Sequence, residues 1–190
     1  AHAGRKASRL PAWEAGPAAP GWEALGPSAT AFQGYATPRA MSEAEITGTI
    51  QAFADAAVRS VKAGYKLIEL HAAHGYLISQ FLSPLTNLRS DQWGGDINNR
   101  ARVLIEIVKR IRQSVKPEFC VSVKLNSADF QKGGFELNDA KAVIQLLNEL
   151  DVDLVELSGG SYESPAMQGR VTERDAEKPE TTLRREAYFV

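Results

Sequence analysis

The stretch His71–Pro84, HAAHGYLISQFLSP, decides how the rest of the chain is read. The apolar run LIEL (Leu67–Leu70) leads into it. Two histidines and a tyrosine then fall within the six positions His71 to Tyr76, and Gly75 stands where a strand must turn into a helix. Apolar strand, imidazoles at its end, tight turn and helix together describe how parallel α/β proteins present chemistry at the carboxyl ends of their strands.

Upstream, Ser42 and Glu45 form a capping-box pair. Ile46, Ile50, Phe53, Ala57, Val58 and Val61 follow at helical spacing, and Gly64 is the expected stop. A strand is predicted over Tyr65–His71, then a short helical turn over Tyr76–Leu82 closed by Ser83-Pro84. Downstream, TNLRSDQWGGDINNR reads as a turn-rich loop. A second helix is expected from about Arg100 to Val115, a strand over Phe119–Asn126, a third helix capped by Asn138, and a strand over Val152–Ser158. A last helix is expected near Thr182. Residues 10–40 carry prolines, glycines, Trp13 and Trp22 without periodicity, and read as an irregular surface excursion with room for a short hairpin.

Helix and strand thus alternate three times, which argues for a parallel sheet. Alternation along the strands sharpens this. Ile68 and Leu70 oppose Glu69 and His71; Val121, Val123 and Leu125 oppose Ser122, Lys124 and Asn126; Val155 and Leu157 oppose Glu156 and Ser158. Each strand is expected to bury its apolar face against helices. A sheet covered on both faces has no place for Glu69, Lys124 and Glu156, whereas a barrel whose inner face opens at a ligand-binding mouth does. The other reading is that these three charges pair with one another for packing alone.

A net charge of -1 offers no basic field for nucleic acid or an anionic membrane. No apolar run reaches the ~20 residues of a membrane span. No signal peptide is visible, and one cysteine, Cys120, in an apolar run reads as a buried, inert thiol in a reducing, cytoplasmic setting. Both ends of the chain look cut, so a piece of a larger protein is expected.

His71 and His74 are three apart across a strand–turn junction and lack the i,i+4 helical spacing of a zinc motif, so no metal is expected. Adjacent imidazoles can instead hydrogen-bond a carbonyl or oxyanion. Tyr76 can deliver a phenolic proton beside them. The Gly-Gly pairs at 94–95 and 133–134 lack phosphate-loop spacing and read as turns. Ser83, Asn87, Arg89, Asp91, Arg100 and Arg102 are expected to form a salt-bridged loop that props the turn.

The run HAAHGYLISQFLSPLTNLRSDQWGGDINNRAR closely resembles the signature of the Old Yellow Enzyme family of FMN-dependent NAD(P)H:flavin oxidoreductases, the ene reductases. HAGRK (2–6) resembles the segment after that family's third barrel strand, VSVKLNSADF its fifth and VDLVELSGGSYESP its sixth. The resemblance implies an α/β fold, a partial (β/α)8 TIM barrel running from the end of strand three through strand six. Residues 1–190 would be the central part of one barrel domain, with N- and C-terminal strands missing.

It implies FMN and NAD(P)H as cofactors and a small enone or enal as substrate, with no nucleic acid or membrane partner, and it leaves a homo-oligomer of the full-length protein open. His71 and His74 would bind the substrate carbonyl, and flavin N5 would give hydride to the β-carbon. Tyr76 would protonate the α-carbon, and Lys124 would contact the flavin where many members carry arginine. Lysine keeps the charge but loses the planar fork. The alternative is a non-catalytic truncated barrel unable to hold FMN alone.

Overall fold

A computed structural model of the chain describes residues 4–6, 23–32 and 35–161. Trp13, Trp22 and the helix expected near Thr182 lie outside the described residues. The elements run in order from a 3-10 turn at Gly4–Lys6 through β1 (Leu25–Gly26), β2 (Arg39–Ala40), α1 (Glu43–Lys62), β3 (Leu67–Ala72), α2 (Leu77–Leu82), α3 (Ile97–Ser114), β4 (Cys120–Asn126) and α4 (Leu137–Asn148) to β5 (Leu154–Ser158).

The alternation resolves into a parallel three-stranded sheet in the order β3-β4-β5. Helix α3 supplies the crossover from β3 to β4, and α4 that from β4 to β5. The outer face carries Leu70, Ala72, Val121, Val123 and Leu125, all buried. It shares one core with Ile46, Ile50 and Ala54 of α1, Leu104, Ile107, Val108 and Ile111 of α3, and Val143 and Leu147 of α4. The amphipathic periods of the helices are what place these side chains on one side of the sheet.

Helix α1 starts where expected. Ser42 Oγ accepts the Glu45 N–H, and the Glu45 carboxylate accepts the Ser42 N–H at 2.8 Å. Arg39 adds ion pairs to Glu45 at 2.7 Å and to Glu23 at 2.9 Å, tying β2 to the start of the helix. Past the helix Gly64 sits at φ +89, the left-handed conformation that ends helices.

Several boundaries differ from the sequence expectation. Helix α3 begins at Ile97, three residues before the expected start at Arg100, because the Asp96 carboxylate accepts the Asn99 N–H and caps it. Helix α4 begins at Leu137 with Glu136, not Asn138, at its N-cap; Asp139 reaches back to the Glu136 N–H. β3 extends to Ala72 and β5 starts at Leu154. Strands β1 and β2 pair parallel, so the excursion holds no antiparallel hairpin at this pair. Cys120 is half-buried rather than buried, since it falls on the inner face at the start of β4. Leu157 is 59% exposed: β5 is an edge strand among the described residues, and its outer face is only partly covered.

Candidate active site

The register of the sheet sets the side chains of the inner face in rows. Glu69 pairs with Ser122 and Ser122 with Leu154; His71 pairs with Lys124 and Lys124 with Glu156; Asn126 pairs with Ser158. The polar ends of three strands therefore form one wall, as the alternation predicts. At the top of β3 the chain leaves the sheet through His74 at φ +59 and Gly75 at φ +75. Two successive left-handed residues reverse the backbone within two positions, and glycine takes the second without steric cost. For His74 the conformation is uncommon and must be held from outside.

The holding group is Asn126, 1% exposed at the end of β4. Its Oδ1 accepts the His74 N–H at 3.3 Å, and its Nδ2 donates to Gly160 O at 2.8 Å and to Asp129 Oδ1 at 3.1 Å. One buried amide thus ties together the loops that follow β3, β4 and β5. Asp129 in turn accepts the Phe135 N–H. An isolated parallel bridge between His74 and Ser161 adds to the same tie.

Within this frame the three rings gather. His71 lies edge-on to His74 with centroids 5.1 Å apart, and edge-on to Tyr76 at 4.8 Å. His71 Nδ1 accepts the Ala73 N–H at 3.3 Å, so in the neutral ring the proton resides on Nε2. Burial first, then the neighbouring His74 and Lys124, lower the His71 pKa to about 4. His71 is therefore neutral at physiological pH and offers one N–H donor. His74 Nε2 lies 2.6 Å from Ser158 Oγ, which fixes that ring against β5.

The charges below the rings do pair. Lys124 Nζ is 3.0 Å from Glu156 Oε1 and 3.8 Å from Glu69 Oε1. The Glu156 hydrogen bond raises the Lys124 pKa, and Lys124 lowers that of Glu156. Partial burial, then the neighbouring Glu156 carboxyl, push Glu69 upward. Ser122 Oγ, fully buried, donates to Glu69 at 3.3 Å. The three side chains pair with one another while retaining 24–49% exposure on the open face of the sheet.

Support for the turn comes from further away. Gln80 on α2, 1% exposed, accepts the Arg5 N–H at 3.1 Å and donates to Gly75 O at 2.7 Å. A Cβ on Gly4 would stand 2.3 Å from Gln80 Oε1, so glycine there permits the close approach. Arg5 reaches Ala31 O at 3.0 Å and stacks over Phe32.

The prop after Pro84 is less ionic than expected. Asn87 donates to Phe81 O and Trp93 O, and Arg89 joins Asp91 to Pro27 O and Met41 O. Arg100 instead pairs with Asp139 of α4, and Arg102 with Gln92 O. Asn126 and Gln80 are the residues that sequence reasoning did not single out as supports. Asn126 was visible only as one of the polar alternation positions.

No group of three or more metal-ligating side chains occurs among the described residues, and no helix there is long and apolar enough to cross a membrane.

The chain is 44% identical over 156 residues to an NADH-dependent flavin oxidoreductase, nadA, of Aspergillus parasiticus, covering 82% of this chain and 34% of that protein. It is 42% identical over 163 residues to an NADPH dehydrogenase of Halalkalibacterium halodurans, covering 85% and 44%. The structure of morphinone reductase in complex with tetrahydroNAD superposes with a TM-score of 0.67 at 30% identity, over 82% of this chain and 46% of that one. The chain spans less than half the length of each of these proteins. The family described as NADH:flavin oxidoreductase / NADH oxidase matches residues 1–188, and the chain belongs to that family.

Proposed function

We propose that the protein carrying this chain is an FMN-dependent oxidoreductase that reduces the activated C=C bond of α,β-unsaturated carbonyl compounds with NAD(P)H, and that β3, β4 and β5 are the fourth to sixth strands of its (β/α)8 barrel. The observation that carries the reading is the edge-on cluster of His71, His74 and Tyr76, in which His71 Nδ1 accepts the Ala73 N–H and leaves Nε2 to carry the proton of the neutral ring. A neutral donor suits a ground-state carbonyl oxygen and gains strength as that oxygen becomes enolate-like.

The donor chemistry of the inner face also fits a flavin. Lys124 presents an ammonium on the open side of the sheet, one strand from His71, and would hold a bound flavin there by giving a cation to its acceptor atoms. The chemistry a bound FMN supplies is the relay of hydride from NAD(P)H to the β-carbon of the alkene. His71 Nε2–H holds the carbonyl oxygen and draws electron density away from the β-carbon. His74, its N–H held by Asn126 and its ring by Ser158, orients the same oxygen. Tyr76 Oη passes its proton to the α-carbon as the enolate collapses, and recovers one from solvent. The morphinone reductase relative, held with tetrahydroNAD, supports a nicotinamide partner.

The test is optical. The full-length protein should purify with a flavin visible spectrum, bleach with NADH or NADPH under argon, and recover on adding cyclohex-2-enone. A colourless protein that gains no flavin on incubation with FMN contradicts the reading and favours a non-catalytic barrel piece.

A further inference from the structure

The functional reading uses Lys124 and leaves Glu69 and Glu156 without a role. These two carboxylates stand on the strands either side of Lys124, and all three side chains point to the inner face. Glu156 is in register with Lys124, and its Oε1 is 3.0 Å from the ammonium. Glu69 sits one row lower on β3 at 3.8 Å, steadied by Ser122 Oγ. A lysine side chain is long, flexible and strongly hydrated, and unlike arginine it has no planar fork to fix its direction. Two flanking acceptors supply what the side chain lacks. They restrict Nζ to a small volume between the strands and neutralise part of its charge.

We propose that Glu156 and, more weakly, Glu69 are positioning residues that hold Lys124 Nζ and set the net charge it presents to the cofactor, and so tune the reduction potential of the bound flavin. This rests on the reading of Lys124 as a flavin contact. A two-electron reduced flavin carries more negative charge than the oxidised form, so a cation beside it favours reduction and a carboxylate paired with that cation opposes it. Removing the Glu156 charge therefore shifts the equilibrium toward reduced flavin. The effect of Glu69 is smaller because its carboxylate is further from the ammonium and its own pKa is raised.

The experiment is dye-equilibrated reduction of the flavin-loaded, full-length protein followed optically, which reads the potential independently of turnover. Glu156→Gln should raise the equilibrium constant for reduction about tenfold, or ~30 mV for a two-electron couple. Glu69→Gln should raise it about two- to threefold, and Glu156→Asp, which keeps the charge, should stay within twofold of the wild type. A flavin-loaded Glu156→Gln protein within twofold of the wild type overturns the proposal and leaves the ene-reductase reading standing. So does an equal shift in Glu156→Asp, which would mark the effect as packing. A wild-type protein that takes up no FMN overturns both.

Discussion

Replacing Asn126 with leucine, which has a similar volume, should be the most damaging single change near the rings. The substitution removes an acceptor from the His74 N–H and a donor from both Gly160 O and Asp129 Oδ1. Each neutral bond contributes about 0.5–1.5 kcal/mol net, and the one to the Asp129 carboxylate about 1.5–3. Together the loss is about 2.5–6 kcal/mol, a large part of the 5–15 kcal/mol that ordinary domains possess. With Asn126 1% exposed, the orphaned groups do not readily find water. The assay is urea unfolding of wild type and Asn126→Leu, paired with hydrogen exchange at the His74 amide. The midpoint should fall steeply and the His74 amide should lose its protection. A stability within 1 kcal/mol of wild type, with His74 exchange unchanged, would refute the claim that one amide holds the three loops.

Gly4→Ala should destabilise by about 1–3 kcal/mol through its φ of +60 and the collision with Gln80 Oε1, and Gln80→Ala in the same chain should relieve only the collision part. Thermal melts of the two single variants and the double variant separate these components, and full rescue would deny the backbone part. His71 has a folded pKa near 4 against about 6.5 when unfolded, so the unfolded chain binds more protons between those values. Stability should therefore fall as pH drops from about 6.5 to 4, by about 1–2 kcal/mol once solvent screening of the half-exposed ring is allowed for. The same pH series on His71→Gln should show a shallower fall, and identical slopes would remove His71 as the cause. Ile107→Ala, at a position with no exposed surface in the shared core, should cost about 2–5 kcal/mol by denaturant titration; a loss below 1 kcal/mol would mean that the core collapses around the gap.

Much of this arrangement was legible along the chain. The two-residue period of Leu67–His71 and Val121–Asn126 separated an apolar face from a polar one; the structure buries Leu70, Val121, Val123 and Leu125 as that period asks, but buries Ser122 and Asn126 of the polar face as well and leaves Leu67 exposed. The HAAHGY turn announced where the rings gather because sequence neighbours at a strand end stay neighbours in space. What escaped are contacts between distant parts of the chain. Gln80 meets Arg5 across 75 residues and Asn126 meets Gly160 across 34, and no local pattern encodes either. The Asp96 cap was readable in principle, but it stands inside a polar loop before the helical period begins. The pairing of Lys124 with Glu156 needed the parallel register before it could be distinguished from three independent pocket-lining charges.

The division of labour among the three rings is tested most directly by stopped-flow kinetics of both half-reactions in the flavin-loaded Tyr76→Phe protein. The His71 and Tyr76 rings touch edge-on at 4.8 Å, so removing the phenol oxygen leaves their packing intact. Flavin reduction by NAD(P)H should proceed within about twofold of the wild-type rate, while reoxidation by cyclohex-2-enone should slow about 10²-fold or more, the usual scale for a lost general acid. Equal losses in both half-reactions, or none in either, would contradict the assignment of Tyr76 as the proton donor.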